Sequence, residues 1–285
     1  MTRTRATSRY FDSAGVMLRY VDAGSGEAVV LLHSFTGNLD RDFVRDGLFA
    51  AIAARYRAIA FDLRGHGRSG KPHDACQYGR EMALDVVRLL DHLQLDRAHI
   101  VGYSLGAHIV AHLLSLHPER FITATLGGAP GRRQWSDDDD RRAAIEAREM
   151  ARGVMRTQIL RLRPPESAPP SDEEIRVRTA EYLDGNDAAA LAAIRRANRD
   201  QVVSDDALSN AAVPILGLVG SRDAYRNAFS ALAKAVRQLT LVEIDGAGHG
   251  DALARAEFRE TLLAFLHEHP AAPHDDSHGK RHDCR

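Results

Sequence analysis

The sequence predicts an α/β protein with a mostly parallel, doubly wound sheet and an inserted, all-helical cap. Three observations predict this class. Short runs rich in Val, Ile and Leu alternate with amphipathic helical patterns along most of the chain, which is typical of βαβ units. The runs are continuously apolar, as expected for strands that helices cover on both faces. One long interval between two of the runs contains helical patterns only.

The predicted strands, in chain order, are VMLRYVDAG, AVVLLH, YRAIAFDL, HIVGYS, FITATLGG, VPILGLVG and LTLVEID. The helical patterns between them cover Asp42 to Arg55, Arg80 to Gln94, Leu105 to His117 and Arg226 to Arg237. A short turn at Gly24 to Gly26 joins the first two strands. A connection of this length favours an antiparallel start to the sheet.

The helical interval divides the chain into regions. Residues 1–130 and 213–269 are predicted as the two parts of one core, and residues 131–212 as the cap. The cap patterns are DDRRAAIEAREMARGVMRTQILRL, SDEEIRVRTAEYL and DAAALAAIRRANRDQ, around a turn-rich RPPESAPP. Residues 270–285 have almost no apolar side chain, so we expect a disordered tail. A chain of 285 residues, 44% hydrophobic, is long enough for one large core with a small accessory lobe.

The composition disfavours several classes of protein. A net charge of −1 gives no reason to expect nucleic acid or an anionic membrane as partner. The two cysteines, Cys76 and Cys284, form no disulfide or metal-ligand pattern, which favours free thiols in a reducing compartment. The first residues lack the apolar segment of a signal peptide, and no apolar run approaches the roughly 20 residues that span a bilayer. We therefore expect a cytoplasmic protein that acts on a small molecule; the oligomeric state is not indicated.

The segment Gly102-Tyr103-Ser104-Leu105-Gly106 places a serine where a strand pattern changes into a helix pattern. This matches G-x-S-x-G, the nucleophile elbow. Glycines two residues to either side are needed because larger side chains would collide on so sharp a turn. The turn lifts the hydroxyl above the sheet edge, at a helix N-terminus that favours developing negative charge. The alternative is an ordinary tight turn with a capping serine.

A serine nucleophile needs a general base. His249, in EIDGAGHGDAL, follows the last strand in a Gly-rich loop that can carry it over the sheet edge. Three other histidines, His108, His112 and His117, lie on the helix after the serine and are interpreted as packing or surface residues.

The base needs an acid to orient it. Asp223, in ILGLVGSRDAY, follows the penultimate strand and gives the chain order Ser, Asp, His that this motif uses. Asp245 and Asp251 are rivals, and a turn-forming role for Asp223 is the alternative.

An acyl-transfer site also needs donors for an oxyanion. The backbone N–H of Leu105 is one candidate, and that of Phe35, in the loop LLHSFTG, is the other. Ser34, Tyr103 and Trp135 are candidate substrate-binding residues.

Near Trp135, at the start of the cap, lie Arg132 and Arg133. They are either solvated arginines beside a packing tryptophan, or a substrate-facing wall with an anchor for a carboxylate. The run Asp137 to Asp140 lacks the spacing of a calcium loop and is interpreted as a solvated helix start.

The segments LLHSFTG, AFDLRGHGRSG, GYSLG, GSRD and GAGH occur in this order at predicted strand ends. Together they resemble the α/β-hydrolase superfamily, in its esterase and lipase-like branch with a small helical cap. The resemblance extends to about residue 269, except for the cap sequence. It implies Ser104 as nucleophile, His249 as base and Asp223 as its partner, with an oxyanion hole from Phe35 and Leu105 and no metal or organic cofactor.

Two further positions are interpreted through this resemblance. Many relatives have glycine at the position of Ser34, so its side chain either narrows the acyl pocket or offers a hydroxyl there. His66, within the family hallmark DLRGHGRS, is interpreted as structural rather than catalytic.

The expected function is that of a serine hydrolase that cleaves a carboxylic ester of a small molecule through an acyl-enzyme. Ser104 argues against the relatives that use an aspartate nucleophile, such as epoxide hydrolases and haloalkane dehalogenases. Carbon–carbon bond hydrolases and cofactor-free perhydrolases share the same triad and stay open as alternatives. A ligand-sensing receptor with a triad is an alternative of another class. Such a receptor would need an exposed apolar patch on the cap, and the charged composition of the cap disfavours one.

Overall fold

The structure is a computed structural model and describes residues 7–271. Its strands are β1 (Arg9–Ser13), β2 (Val16–Ala23), β3 (Ala28–Leu32), β4 (Arg57–Phe61), β5 (Ala98–Tyr103), β6 (Phe121–Gly127), β7 (Ile215–Gly220) and β8 (Leu239–Ile244). Its helices are α1 (Leu48–Ala53), α2 (Arg80–His92), α3 (Leu105–Leu116), α4 (Asp137–Ala151), α5 (Arg156–Leu162), α6 (Asp172–Leu183), α7 (Ala188–Arg196), α8 (Asp205–Asn210), α9 (Arg226–Ala235) and α10 (Ala256–Glu268).

The eight strands form one sheet in the order β1-β2-β4-β3-β5-β6-β7-β8. Strands β3 to β8 run parallel to one another, and β2 runs antiparallel to both β1 and β4. The predicted fold class, a mostly parallel α/β sheet, is confirmed. The carboxyl ends of the parallel strands therefore meet at one edge, where a site of this fold class is expected.

The start of the sheet differs in detail from the prediction. The short turn after β2 does not make β2 and β3 a hairpin, because β2 pairs with β4, with Tyr20 opposite Phe61. Strand β1 was not predicted. Only Phe11 and Ser13 of its five residues are buried, so the segment carries little of the apolar pattern that indicates a strand.

Two predicted helices are broken by glycines that take positive φ. The pattern from Asp42 to Arg55 contains a π-helical turn, Asp40–Val44, followed by α1, with Gly47 at φ 82° between them. The long first pattern of the cap divides into α4 and α5, with Gly153 at φ 71° in the break. A left-handed residue ends a helix, which hydrophobic periodicity alone does not reveal.

The core lies on both faces of the sheet. Alternate residues of β3 point in opposite directions: Val30 and Leu32 join one buried cluster with residues of α2 and α3. Val29 and Leu31 join the other, with residues of α1 and α10. Burying a side chain of this size stabilises the fold by about 1.5–3 kcal/mol, so both helix layers hold the strand ends in fixed positions.

The segment of residues 131–212, which we call the cap, contains α4 to α8 and lies between β6 and β7. Buried residues of α4 and α7 belong to the same cluster as α2 and α3. Helix α4 begins at the aspartate run, and Ser136 forms a capping box with Asp139. No helix within residues 7–271 is long and apolar enough to cross a membrane. Cys284 and most of the predicted tail, residues 272–285, lie outside the described residues.

Candidate active site

Ser104 lies on a strained turn between β5 and α3. Its backbone has φ 53° and ψ −104°, a conformation that residues other than glycine rarely adopt. Strain of this kind persists only where the surroundings enforce it. Here the Ser104 N–H donates to the Gly127 carbonyl (2.7 Å), and the Ser104 carbonyl accepts from the His108 N–H (3.1 Å). Both sides of the turn are thus anchored, to β6 and to α3.

The two flanking glycines are sterically required. A Cβ on Gly102 would lie 2.3 Å from the backbone of Gly106, and a Cβ on Gly106 would lie 2.1 Å from the carbonyl oxygen of Leu32. Contacts under 3.0 Å force the backbone to move. The glycines therefore allow β5, α3 and β3 to approach closely enough to form the turn.

Three of the predicted site residues meet in one hydrogen-bonded chain. The Ser104 Oγ lies 2.9 Å from the His249 Nε2, and the His249 Nδ1 lies 2.9 Å from the Asp223 Oδ2. Asp223 is buried, and its second oxygen accepts from the Tyr225 N–H at 2.9 Å. With the carboxylate so placed, the Nδ1 carries the proton and the Nε2 is free to accept the serine proton.

The rival acids do not reach the histidine. Asp245 is exposed and accepts from the Ser221 hydroxyl. Asp251 accepts from the Gly248 N–H and pairs with Arg255. Among the three acids, only Asp223 contacts the ring of His249.

The predicted oxyanion donors lie beside the serine. Phe35 and Leu105 both line the cavity that contains Ser104. Within residues 7–271, neither backbone N–H donates to a protein acceptor. Leu105 is the first residue of α3, whose N–H has no acceptor within the helix. Two N–H groups without a protein acceptor beside a serine hydroxyl are what an oxyanion hole requires.

Buried polar side chains fix the loop that carries Phe35. The Asp42 carboxylate accepts from the Ser34 N–H at 2.7 Å, and the His33 Nε2 accepts from the Leu63 N–H at 3.0 Å. The His66 Nε2 lies 2.8 Å from the Phe35 carbonyl oxygen and therefore donates to it. Each contact restrains one peptide group of the loop.

The buried acids and bases of this loop have shifted pKa values. Burial, together with the positive charge of neighbouring His33, lowers the pKa of His66 to about 3. Burial also lowers the pKa of His33 and raises that of Asp42. His66 is fully buried and does not line the cavity, so its role is to hold the Phe35 peptide group.

The cavity above Ser104 has a volume of about 500 Å³ and is bounded by the core on one side and the cap on the other. This volume suits a small organic ligand. Its wall is unusually polar, with arginines from the first core region and from the cap. These are Arg41, Arg45, Arg132, Arg161 and Arg195.

The candidate substrate-binding residues divide into three cases. Ser34 lines the cavity, and its role in binding substrate stays a prediction. Tyr103 also lines it, but its hydroxyl donates to the His249 carbonyl at 2.7 Å, so it positions the histidine loop rather than offering its hydroxyl to a ligand. The structure does not bring Trp135 into this cavity. Its indole N–H donates to Asp140 at 2.6 Å, and its ring lines an adjoining cavity of about 270 Å³.

Several cavity residues were not predicted. His108, interpreted as a packing or surface residue, is buried and lines both cavities. Arg161, Arg195 and Tyr225 also line both. His108 could have been suspected, because it lies four residues after Ser104 and therefore on the same face of α3. No sequence signal indicates which faces of the cap helices carry Arg161 and Arg195 inward.

Within the described part of the chain, no group of three or more His, Cys, Asp or Glu residues is placed to hold a metal ion.

The chain is similar to known proteins in both sequence and structure. A family model of the alpha/beta hydrolase fold matches residues 27–153. A dihydrolipoyllysine-residue acetyltransferase component of the acetoin cleaving system of Pseudomonas putida is 36% identical over 121 residues, which is 41% of this chain and 31% of that protein. The chain spans about a third of the length of this and other curated relatives that it matches.

Solved structures match over most of the chain. The enol-lactonase from Burkholderia xenovorans LB400 is 24% identical with a TM-score of 0.72, covering 91% of this chain and all (100%) of that one. Est816, described as an N-acyl homoserine lactone degrading enzyme, is 26% identical with a TM-score of 0.68, covering 90% of this chain and 100% of that one. The sheet order, the strained serine turn and these matches together show that the chain has the alpha/beta hydrolase fold.

Proposed function

We propose that the protein is a serine hydrolase that cleaves a carboxylic ester of a small molecule through an acyl-enzyme intermediate. The observation that carries this proposal is the chain of contacts from Ser104 through His249 to Asp223, next to two N–H groups without protein acceptors. A nucleophile, a base, an orienting acid and an oxyanion hole are the four parts that acyl transfer needs.

In the acylation step, the Ser104 hydroxyl attacks the ester carbonyl while the His249 Nε2 takes its proton. Asp223 keeps the imidazole in the reactive tautomer and stabilises its charged form. The N–H groups of Phe35 and Leu105 donate to the oxyanion of the tetrahedral intermediate.

The tetrahedral intermediate then collapses. His249 returns the proton to the leaving alcohol, and the acyl group stays on Ser104. A water molecule enters, His249 removes its proton, and a second tetrahedral intermediate releases the acid and the free serine.

Two considerations support ester cleavage. Two structurally similar proteins are named for lactone cleavage, and a lactone is a cyclic ester, although a meta-cleavage product hydrolase has a similar TM-score of 0.70. A receptor would need a contiguous apolar patch on the cap. The cap, which lies wholly within the described residues, exposes only four large apolar side chains, each by less than half of its surface: Ile145, Val154, Val177 and Val202. Carbon–carbon hydrolysis and perhydrolysis use the same three residues, and no feature of this cavity favours them.

The proposal is tested by rapid-mixing kinetics with p-nitrophenyl acetate and butyrate. Wild type should release a burst of about one equivalent of p-nitrophenol before the steady state. Ser104→Ala and His249→Ala should lose both the burst and at least about 10³-fold in turnover. Ser115→Ala is the matched control, because Ser115 lies on the same helix and only donates to the His112 carbonyl. Turnover that survives in Ser104→Ala would overturn the proposal.

A further inference from the structure

The two cavities adjoin each other at a cluster of charged side chains on the cap side of Ser104. Arg132, Arg161, Arg195, His108 and Tyr225 line both cavities. The larger cavity also contains the Ser104 side chain, so a ligand held by Ser104 in that cavity can reach these five side chains.

The charges at this junction do not balance. Glu146 is buried and pairs with both Arg161 (2.9 Å) and Arg195 (2.8 Å). Of the other charged residues that line the smaller cavity, Asp139 and Arg142 pair with each other, and Arg133 pairs with Asp205. The junction thus has three guanidinium groups and one carboxylate, which pairs with two of them.

Two of these three arginines have further partners. Arg161 donates to the Tyr225 hydroxyl at 2.9 Å. Arg195 donates to the Gln158 side chain, and its guanidinium lies 4.2 Å from the centre of the Phe35 ring. Both side chains are therefore held in place by the protein itself.

Arg132 is different. Its guanidinium forms no hydrogen bond or ion pair with any residue of the described range 7–271, and its Nε is buried without a partner. Burial, and the repulsion from Arg195 and Arg161, lower the pKa of Arg132 to about 9. The side chain is therefore still charged at neutral pH, although its surroundings disfavour the charge.

His108 complements this arginine. Its Nδ1 is also buried without a partner in the structure. Burial, and the positive charges of Arg132, Arg161 and Arg195, lower the pKa of His108 well below its ordinary value. The imidazole is consequently neutral, adds no charge to the cluster, and can donate one N–H to a ligand.

We propose that Arg132 and His108 bind a carboxylate of the substrate, so that the preferred substrate is an ester that also carries a free carboxylate. This inference rests on the proposed ester hydrolysis. Arg132 is half-buried, and its buried Nε and the neighbouring cations leave its charge without a counterion. Such a charge is unfavourable for folding, and an anionic ligand supplies the missing charge and acceptors. Arg133, one residue along the chain, instead pairs with Asp205 at 3.1 Å and donates to the Ala228 carbonyl.

The position of His108 sets the scale of the ligand. His108 follows Ser104 by four residues, and side chains at this spacing have Cβ atoms about 5–6 Å apart. The length of the His108 side chain and a hydrogen bond add to this separation, so a short dicarboxylic acid esterified at one end, such as a glutaric acid monoester, is the probe for this site.

The first experiment compares three chromogenic esters. Mono-4-nitrophenyl glutarate carries the free carboxylate on the acyl side, 3-carboxy-4-nitrophenyl butyrate carries it on the alcohol side, and 4-nitrophenyl pentanoate is neutral. Wild type should prefer one of the two anionic esters over the neutral one. A charge-assisted hydrogen bond predicts that Arg132→Met lowers this ratio of kcat/KM values by about 10- to 100-fold. Arg133→Met, the matched control, should leave the ratio unchanged.

The second experiment does not depend on turnover. Glutarate binding to wild type and to Arg132→Met is measured by calorimetry, and the unfolding temperature of each protein is measured without ligand. Glutarate should bind wild type and raise its Tm, and should bind Arg132→Met at least 10-fold more weakly. Because Arg132 has no protein partner, Arg132→Met should match or exceed the wild-type Tm, whereas an arginine with a structural role would lower it when replaced.

The outcomes separate the two proposals. If no ester is turned over, ester hydrolysis fails, and glutarate binding alone decides whether the carboxylate site exists. If esters are turned over but Arg132→Met changes neither the preference nor glutarate binding, the carboxylate site is refuted and ester hydrolysis stands.

Discussion

Replacing His66 with glutamine should remove a large part of the sensitivity of the fold to acid. His66 is fully buried, and its two ring nitrogens contact the Phe35 and Arg64 carbonyl oxygens. Its pKa is lowered to about 3 from the ordinary value of 6.5. Between these two values the unfolded chain binds a proton that the folded chain does not, so the stability contributed by the neutral ring is lost as the pH falls.

The magnitude follows from these two values. One pKa unit corresponds to 1.36 kcal/mol. At pH 5.0 the histidine is almost fully protonated in the unfolded chain but not in the folded chain. This difference lowers the free energy of unfolding of wild type by about 2 kcal/mol relative to pH 7.5. Glutamine does not titrate, and its side-chain amide can donate to the Phe35 carbonyl in place of the ring. On acidification, the free energy of unfolding of His66→Gln should therefore fall by about 2 kcal/mol less than that of wild type.

The measurement is urea unfolding of both proteins at pH 7.5 and pH 5.0. At pH 7.5 the variant should be the less stable one, because the glutamine fills the site less well than the ring. We expect the difference between the two free energies of unfolding to be about 2 kcal/mol smaller at pH 5.0 than at pH 7.5. His33 is coupled to His66, since their ring centres are 4.9 Å apart, so its contribution changes with the substitution; buried histidines distant from His66 titrate alike in both proteins and cancel. His267→Gln, at an exposed position, should stay within about 0.5 kcal/mol of wild type at both pH values. An identical acid sensitivity of wild type and His66→Gln would refute the reasoning.

Two further substitutions test the scaffold. Gly106→Ala places a Cβ 2.1 Å from the Leu32 carbonyl oxygen. Because the backbone must then move and displace the Leu105 N–H, kcat/KM for p-nitrophenyl butyrate should fall by about 10²-fold or more. Near wild-type activity would contradict the steric account of the turn. Asp85→Ala removes the buried partner of Arg64, which lies 2.6 Å from it, and urea unfolding should show a loss of about 3–5 kcal/mol. A loss below about 1 kcal/mol would show that Arg64 finds another partner or water.

The predictable parts of the site depend on short segments of sequence. The turn at Ser104 is fixed by five consecutive residues, because its two glycines are required by contacts within the turn and with the neighbouring strand. His249 and Asp223 follow strands that the apolar pattern predicts, and parallel strands bring their ends to one edge. These residues therefore meet in the structure as the sequence pattern indicates.

The remaining parts depend on packing between distant segments. Arg161 and Arg195 enter the cavity because α5 and α7 turn particular faces toward the core, and helical periodicity in a charged segment does not show which face is buried. The helix break at Gly153 likewise cannot be predicted from apolar residues that recur every 3.6 positions. Trp135 turned toward Asp140 rather than Ser104 for the same reason, because the path of the chain into α4 is set by the capping of that helix.

The central claim is that Ser104 is a nucleophile that becomes acylated, and covalent trapping tests it most directly. Wild type is incubated with a 4-nitrophenyl alkylphosphonate, and the intact mass and the tryptic peptides are measured. The account predicts one phosphonyl group per chain on the peptide that contains Ser104, at a rate that falls at least about 10²-fold in His249→Ala, which lacks the general base. A modification on another residue, or none on a folded wild-type protein, would contradict the account.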